Sequence, residues 1–230
     1  MTYDYKDGYH NNYKGYQDKD KYAHYDKDKD YHHDHGGRNH CDDDDSTYAT
    51  LLLPQNNSGV FGAAVVNFDE DDATLTVSIK AMGLTPGVEH PQHIHGFPDG
   101  KVSQPPTIEF DTDEDGFVEV PEGSLAIGGH LLDLFEEDGS YPAADKNGFL
   151  YYERTFDFDL KNEAQATEFA MLQDFVEGRA VNLHGMNVPE GEGAGTQYEV
   201  HGPGGYISAL PVAGGILKEV DDKYADWLLS

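Results

Sequence analysis

Two apolar stretches joined by an acidic turn, "GVFGAAVVNFDEDDATLTVSIKAMGL" at residues 59–84, decide the fold class. In the second stretch, Leu75, Val77 and Ile79 alternate with hydroxyl-bearing residues. This period of two is typical of a β-strand that buries one face. The acidic run from Asp69 to Asp72 separates the two stretches, so the segment predicts two strands joined by a turn.

Similar short apolar stretches recur along the chain after this hairpin. Short strands at regular spacing predict an all-β fold, either an antiparallel sandwich or a barrel. The further predicted strands are "PTIEF" (106–110), "GFVEV" (116–120), "FLYYERTFDFDL" (149–160), "RAVNLHG" (179–185) and "TQYEVHG" (196–202).

Helical spacing of apolar residues occurs in two places. Residues 162–178 predict one short helix with Gly178 as its stop. Residues 216–230 predict a C-terminal amphipathic helix docked on the core, so the β domain is expected at 51–215. The apolar positions are Phe169, Leu172, Phe175 and Val176 in the first helix and Leu217, Val220, Tyr224, Trp227 and Leu228 in the second.

The first 50 residues differ in composition from the rest. They contain no Leu, Ile, Val, Phe or Trp, and "DKDKYAHYDKDKDYHHDHGG" at 18–37 is of low complexity. Such a segment buries too little apolar surface to offset its ordering entropy, so we predict a disordered tail over 1–50. Two interpretations of the tail are open: it binds transition metals weakly, or it is solvated and has no function. The metal-capturing groups would be His10, His24, His32, His33, His35, His40 and the single cysteine, Cys41.

The charge of the 230-residue chain is strongly negative, with 15 Lys and Arg against 44 Asp and Glu and a net charge of -29. Nucleic-acid binding needs a basic surface, so the charge argues against that partner and favours cations. An acidic surface that only keeps the protein soluble is the alternative. No apolar run approaches the ~20 residues that span a bilayer, so no membrane partner is expected. The N-terminus lacks an apolar signal region, and the mature part of an exported protein would look the same.

Histidines are concentrated in "EHPQHIHGF" at residues 89–97. On a strand, His93 and His95 point to one side while Ile94 enters the core. Two neighbouring imidazoles are half of a transition-metal site. In "RAVNLHGMNV" at 179–188, His184 lies on the opposite face from Leu183, so a second strand can present a third imidazole.

We therefore predict that His93, His95 and His184 meet at one metal. His90, His130 and His201 are further candidate ligands, although each of them alone is more typical of a loop histidine.

The two histidine strands resemble those of copper/zinc superoxide dismutases. In that family an H-x-H pair and a later strand of the type "GRxxxxH" bind copper, and the matching pieces here are "QHIHGF" and "GRAVNLHG". The stretch at 130–160 is similar to the dismutase segment with a zinc-binding H-x-x-D, which here is His130 and Asp133. The resemblance implies a Greek-key antiparallel β-sandwich, copper, and zinc as a second metal.

The chain also resembles CHRD-domain proteins, which are named after chordin. Their "HIHG" strand, a short helix, a late "G-x-x-Y/V-V-N-x-H" strand and a closing Gly-rich strand follow in that order. Here "TEFAMLQDFVEGRAVNLHGM" at 167–186 and "YEVHGPGGYISALPVAGG" at 198–215 fit it. This resemblance covers roughly residues 58–215 and implies a binding or matrix module.

Several departures separate the chain from the dismutase pattern. No histidine lies between His95 and His130, so the imidazolate that bridges copper and zinc is missing. One cysteine cannot form the family's disulfide, and Tyr206 or Ile207 replaces the arginine that guides superoxide. A charge of -29 repels an anion, so the departures favour a metal-binding relative over an efficient dismutase.

An acidic loop, "DTDEDGFVEVPE" at 111–122, matches the calcium-loop spacing D-x-D-x-D-G-x5-E in full. A plain acidic turn is the alternative, and flanks that predict strands argue against a helix–loop–helix hand. The candidate ligands are Asp111, Asp113, Asp115, the carbonyl of Phe117 and Glu122, with Gly116 at the sharp turn.

Two hypotheses follow from the sequence. The first is a copper-binding β-sandwich protein with dismutase-like redox chemistry if it is an enzyme. The second is a non-catalytic CHRD-type binding or matrix module that calcium stabilises. The sequence specifies no protein partner.

Overall fold

The structure is a computed structural model that describes residues 45–192 and 204–230. Within these residues it has nine strands, three α-helices and a 3-10 turn at Ile108–Phe110. The strands are β1 (Asp45–Pro54), β2 (Phe61–Asp69), β3 (Thr74–Met82), β4 (Gln92–Gly96), β5 (Gly129–Asp133), β6 (Leu150–Asp157), β7 (Ala180–Val188), β8 (Gly205–Ile216) and β9 (Lys218–Glu219). The helices are α1 (Val120–Ile127), α2 (Glu163–Gln173) and α3 (Asp222–Leu228).

Strand β1 links two halves of one antiparallel sheet. It pairs with β2 from Asp45 to Leu52 and then with β8 at Leu53 and Pro54. The strand order is β5-β4-β7-β8-β1-β2-β3-β6, with β9 beside β1. The sheet therefore curves so that its two halves enclose one apolar core, which confirms the predicted all-β sandwich. The core joins Val66, Phe68, Leu75, Val77 and Ile79 from one half to Ile94, Val181 and Leu183 from the other.

The hairpin of β2 and β3 forms as its sequence predicts. Leu75, Val77 and Ile79 are completely buried, and the residues between them belong to the outer face. At the turn, the Asp69 carboxylate accepts a hydrogen bond from the backbone N–H of Asp72 at 2.8 Å. The acidic turn thus closes the hairpin through its own side chain.

Helix α2 confirms the helix predicted within 162–178. Asn162 is its N-cap and accepts from the backbone N–H of Ala164, while Phe169 and Leu172 are buried against the sheet. The helix ends before Gly178, which takes a φ of 91° that glycine adopts readily. None of the helices in the two described ranges is long and apolar enough to cross a membrane.

The strands predicted at "PTIEF" and "GFVEV" are wrong: the first segment ends in a 3-10 turn, and residues 116–119 of the second are irregular up to the start of a helix. Ile108–Phe110 forms the 3-10 turn, and α1 starts at Val120. Glu119 and Glu122 form a capping box, and Pro121 lies in the first turn, where a missing N–H costs little. These backbone requirements outweigh the alternation of apolar residues that suggested a strand.

The two ends of the β domain also differ from the expected boundaries. β1 begins at Asp45, inside the segment 1–50 that was assigned to the tail. The C-terminal helix is shorter than 216–230, because Lys218 and Glu219 form β9 against β1 before α3 begins. Leu217 is fully buried, whereas Trp227 of the expected stripe is 66% exposed.

Truncation of the buried Phe68 to alanine should lower the free energy of unfolding strongly. Phe68 is 1% exposed and meets Phe169 edge-on at 5.9 Å, so its truncation should cost about 3–5 kcal/mol of unfolding free energy. Phe61→Ala is the matched control on the same strand: Phe61 is 50% exposed, so a change within about 0.5 kcal/mol is expected. Urea unfolding of both variants measures the difference, and equal losses would contradict this core.

Candidate metal centre

Two adjacent antiparallel strands bring the histidines to one face of the sheet. β4 pairs with β7, so His93 lies opposite Asn182 and His95 lies opposite Ala180. His184 is two residues from Asn182 on β7 and shares its face. The alternate residues Ile94, Val181 and Leu183 enter the core.

The rings of His93, His95 and His184 are buried and close together. Their exposed fractions are 4%, 3% and 2%. The ring centroid of His93 lies 5.5 Å from that of His95 and 5.1 Å from that of His184, and the centroids of His95 and His184 are 6.1 Å apart. The structure therefore brings the three sequence-predicted residues into mutual contact range.

Backbone carbonyls hold two of these rings by one nitrogen each. His95 Nδ1 lies 3.2 Å from the carbonyl oxygen of Gly128, which follows α1. His184 Nδ1 lies 2.8 Å from the carbonyl oxygen of Ala209 on β8. A carbonyl only accepts, so each Nδ1 carries the proton and each Nε2 keeps its lone pair. Both Nε2 atoms are buried, and neither has a hydrogen-bond partner among residues 45–192 and 204–230.

His93 is held by its other nitrogen. His93 Nε2 lies 2.9 Å from the Tyr141 hydroxyl oxygen and 3.3 Å from Asp133 Oδ1. Burial raises the pKa of Tyr141, and its hydroxyl donates to Asp133 at 3.3 Å. The hydroxyl oxygen is therefore an acceptor for His93 Nε2–H, which leaves the lone pair on the buried and unpaired Nδ1.

His130 adds a fourth imidazole from the edge strand β5. One ligand nitrogen each of His93, His95 and His130 lies within 4.8 Å of the others, a triplet that does not include His184. The His130 ring stacks on His93 with centroids 3.8 Å apart, and its Nδ1 lies 3.6 Å from Asp133 Oδ1. The side chains of His130 and Asp133 are both 44% exposed, so this side of the group faces solvent.

The remaining candidate histidines have other positions. His90 is fully buried, and its two ring nitrogens lie 2.8 Å and 3.0 Å from the carbonyl oxygens of His184 and Thr85. Each ring nitrogen of His90 therefore lies against a backbone carbonyl, which separates His90 from the group formed by His93, His95 and His184. His201, and every histidine predicted in the tail, lies outside the described residues.

Burial keeps the core imidazoles neutral. Desolvation, followed by the neighbouring histidines, lowers the pKa of His93 and of His95 well below the usual range. Desolvation lowers the pKa of His184 to about 4, even though its bond to the Ala209 carbonyl acts in the opposite direction. A neutral imidazole is the form that binds a metal.

The acidic loop brings part of its predicted ligand set together. Carboxylate oxygens of Asp111, Asp113 and Glu122 lie within 4.8 Å of one another. Asp111 also accepts from the backbone N–H of Gly116 at 2.9 Å, which closes the turn. Glu122 is buried in the first turn of α1, so the loop runs from a 3-10 turn into a helix.

The other predicted members of this loop have contacts within it. Asp115 Oδ1 accepts from the backbone N–H of Phe117 at 2.9 Å. Glu122 Oε1 accepts from the backbone N–H and the hydroxyl of Thr112 at 2.5 and 2.7 Å. Burial raises the pKa of the Glu122 carboxyl, but these hydrogen bonds lower it more, so its pKa lies below the usual value.

Sequence reasoning missed the groups that fix the rings. Two of them are backbone carbonyls, at Gly128 and Ala209, and a carbonyl has no signature in the sequence. Tyr141 lies eight residues after Asp133 in a stretch that shows no strand period, so only the fold brings it to His93.

The described residues thus form an antiparallel β-sandwich with a group of buried imidazoles on one face. The sequence matches the CHRD domain over residues 46–195, which is more than half of the chain. The chain therefore belongs to the CHRD-domain family. A search of curated proteins finds no match to it.

The buried histidines predict a specific loss of stability in acid for the metal-free protein. Unfolded histidine titrates near 6.5 and folded His184 near 4, so its share of stability is lost as the pH falls from 6.5 to 4. At 1.36 kcal/mol per pKa unit, the loss is about 3 kcal/mol by pH 4.

Urea unfolding at both pH values tests this loss by comparison with His184→Asn. The titration of surface carboxylates is common to both proteins and cancels in the comparison. Between pH 6.5 and pH 4, the unfolding free energy of the variant should fall by about 3 kcal/mol less than that of the wild type. Parallel pH profiles would contradict the neutral, buried state of His184.

Proposed function

We propose that this CHRD-domain protein binds one transition-metal ion, with copper as the leading metal, through His93, His95 and His184. His130 is the proposed fourth ligand, with Asp133 behind it. One observation carries the proposal: Nδ1 of His93 and Nε2 of His95 and His184 are buried and have no hydrogen-bond partner within the described residues. The other nitrogen of each ring is held by the protein.

This pattern is what a metal-binding histidine requires. Ligating histidines nearly always donate their second ring N–H to a carbonyl or carboxylate, which fixes the tautomer and aims the lone pair. An unpaired buried polar atom costs about 1–3 kcal/mol, so three of them together need a compensating partner. A cation that accepts three imidazole lone pairs supplies it.

Copper is favoured over other metals by the type of ligand. Neutral imidazoles suit copper, zinc, nickel and iron, and divalent copper binds most tightly of the first-row ions at nitrogen sites. Zinc is the alternative, because it also accepts imidazole nitrogen in a site of four ligands. Bound copper would supply redox chemistry by cycling between two oxidation states.

The electrostatics favour holding copper over rapid superoxide turnover. Both arginines in the described ranges donate to backbone carbonyls: Arg179 to Phe97 and Met171, and Arg154 to Phe135 and Glu136. The Tyr206 hydroxyl donates to the carbonyl of Glu89. Both arginine side chains are thus bound to the backbone, and the net charge of -29 repels an anion.

The proposal predicts about one tightly held copper per chain. The full chain is loaded with copper and dialysed against a weak chelator, which strips the tail histidines. Elemental analysis should then find one equivalent in the wild type and in the tail control His33→Ala, but almost none in His95→Ala. Equal copper in all three proteins would contradict the site.

The same samples decide between copper holding and dismutation. We expect the copper-loaded wild type to accelerate superoxide decay only weakly, because the chain repels the anion. A rate close to the diffusion limit in the wild type, lost in His95→Ala, would instead establish a dismutase.

A second candidate function is a non-catalytic binding or matrix module that calcium stabilises. It is favoured by the convergence of Asp111, Asp113 and Glu122 in a loop with full calcium spacing. The helical start of α1 at the last ligand position also suits this loop better than the predicted strand did. Asp115 and the carbonyl of Phe117 remain the other predicted ligands.

Calcium should raise the melting temperature if this loop binds it. At a hundredfold excess over Kd the ion adds about 3 kcal/mol, which raises Tm by roughly 5–10 °C. Asp113→Asn should abolish the rise, whereas Glu114→Gln, at an exposed non-ligand position of the same loop, should keep it. Calorimetry with calcium or with a chelator measures the Tm of both variants and of the wild type. A wild-type Tm that does not change with calcium would exclude the loop as a calcium site.

A further inference from the structure

Asn182 lies at the centre of the face that carries the histidines. On β7 it is two residues from His184, and it is in register with His93 on β4 and with Gly214 on β8. Strand alternation gives Asn182 and His184 the same face, and the histidines of β4 belong to it as well. A carboxamide therefore stands beside the proposed ligands.

The Asn182 amide is buried and has no partner among the described residues. The residue is 1% exposed, and neither Oδ1 nor Nδ2 makes a hydrogen bond. Because both amide atoms are unpaired, exchanging the assignment of nitrogen and oxygen changes nothing. Native proteins rarely leave such a group unpaired, and each case calls for a bound water, ion or ligand.

The Asn182 amide lies next to a second buried amide, that of Gln55. A Cβ atom placed at Gly214 would clash with Asn182 Oδ1 and Gln55 Nε2, so only glycine lets the two amides lie over β8. Gln55 Oε1 is also buried and has no partner in the described part of the chain. Two neutral amides thus lie together on the same face as the histidine nitrogens that lack partners there.

We propose that Asn182 orients a small ligand on the metal ion, by donating a hydrogen bond from Nδ2 to that ligand. The inference rests on the proposed function, since the ligand is held by the metal. His130, the proposed fourth ligand, is the half-exposed member of the set, so a small ligand would bind the metal beside His130 or in its place. Water or hydroxide would take this position in the resting protein, and a small anion would replace it.

The hydrogen-bonding groups of the two amides favour one class of ligand. An amide N–H stabilises a ligand whose outer lone pairs stay free after it binds the metal, as those of hydroxide or azide do. Oδ1 and Gln55 Oε1 accept hydrogen bonds, so a protic ligand is also satisfied. The buried surroundings of the two amides favour a small ligand over a bulky one.

Azide titration of the copper-loaded full chain tests the proposal. Asn182→Leu replaces the amide with an apolar group of similar shape, and all titrations use samples that carry equal copper. We expect the azide Kd to rise about tenfold, which corresponds to one hydrogen bond to a charged ligand. Asn187→Leu, at an exposed position of the same strand, is the control and should leave the Kd unchanged.

Melting of the metal-free variants separates a ligand-binding amide from a structural one. Removing two unpaired polar atoms should leave the Tm of Asn182→Leu equal to or above that of the wild type. A weaker azide affinity with this Tm supports the proposal. An unchanged azide Kd, or a Tm lower by several degrees, overturns it, because the amide would then serve the fold.

The failure of the proposed function would be seen separately. A wild-type chain that retains no copper after dialysis refutes the metal site before azide is added. If the wild type holds copper and the azide Kd is the same in the wild type and in Asn182→Leu, only the role of Asn182 is refuted.

Discussion

The antiparallel pairing of β4 with β7 is the constraint on which the rest of the site depends. It fixes which side chains enter the core and which meet on the opposite face. Ile94, Val181 and Leu183 anchor the two strands inside the sandwich, and a register shift of one residue would exchange them with the histidines. The same apolar packing that stabilises the fold therefore also assembles the imidazole group.

The surrounding elements add orientation to this placement. The end of α1 supplies the Gly128 carbonyl to His95, β8 supplies the Ala209 carbonyl to His184, and Tyr141 holds His93. Each contact fixes the N–H on one ring nitrogen and leaves the lone pair on the other. Helix α1 also carries Glu122 of the acidic loop at its start, so one short helix borders both candidate cation sites.

The sequence predicted the strands that carry a clear period and the helix with a clear stripe. It also predicted that His93, His95 and His184 lie close together, because alternation fixes the face of each histidine and the family resemblance suggested that the two strands meet. It misjudged the segments before and after the acidic loop, where a capping box and Pro121 outweigh a short apolar alternation. The ring-holding carbonyls and the unpaired Asn182 depend on strand register, which no local pattern encodes.

The proposed metal site requires three neutral imidazoles with fixed tautomers that share one metal ion. Long-range nitrogen–proton NMR of the imidazoles, with stepwise addition of monovalent copper, tests it most directly. We expect protons on His93 Nε2, His95 Nδ1 and His184 Nδ1. The NMR signals of these three rings should shift within the first equivalent of copper, before those of any tail histidine. Tail histidines that respond first, with the three core rings unchanged, would contradict it.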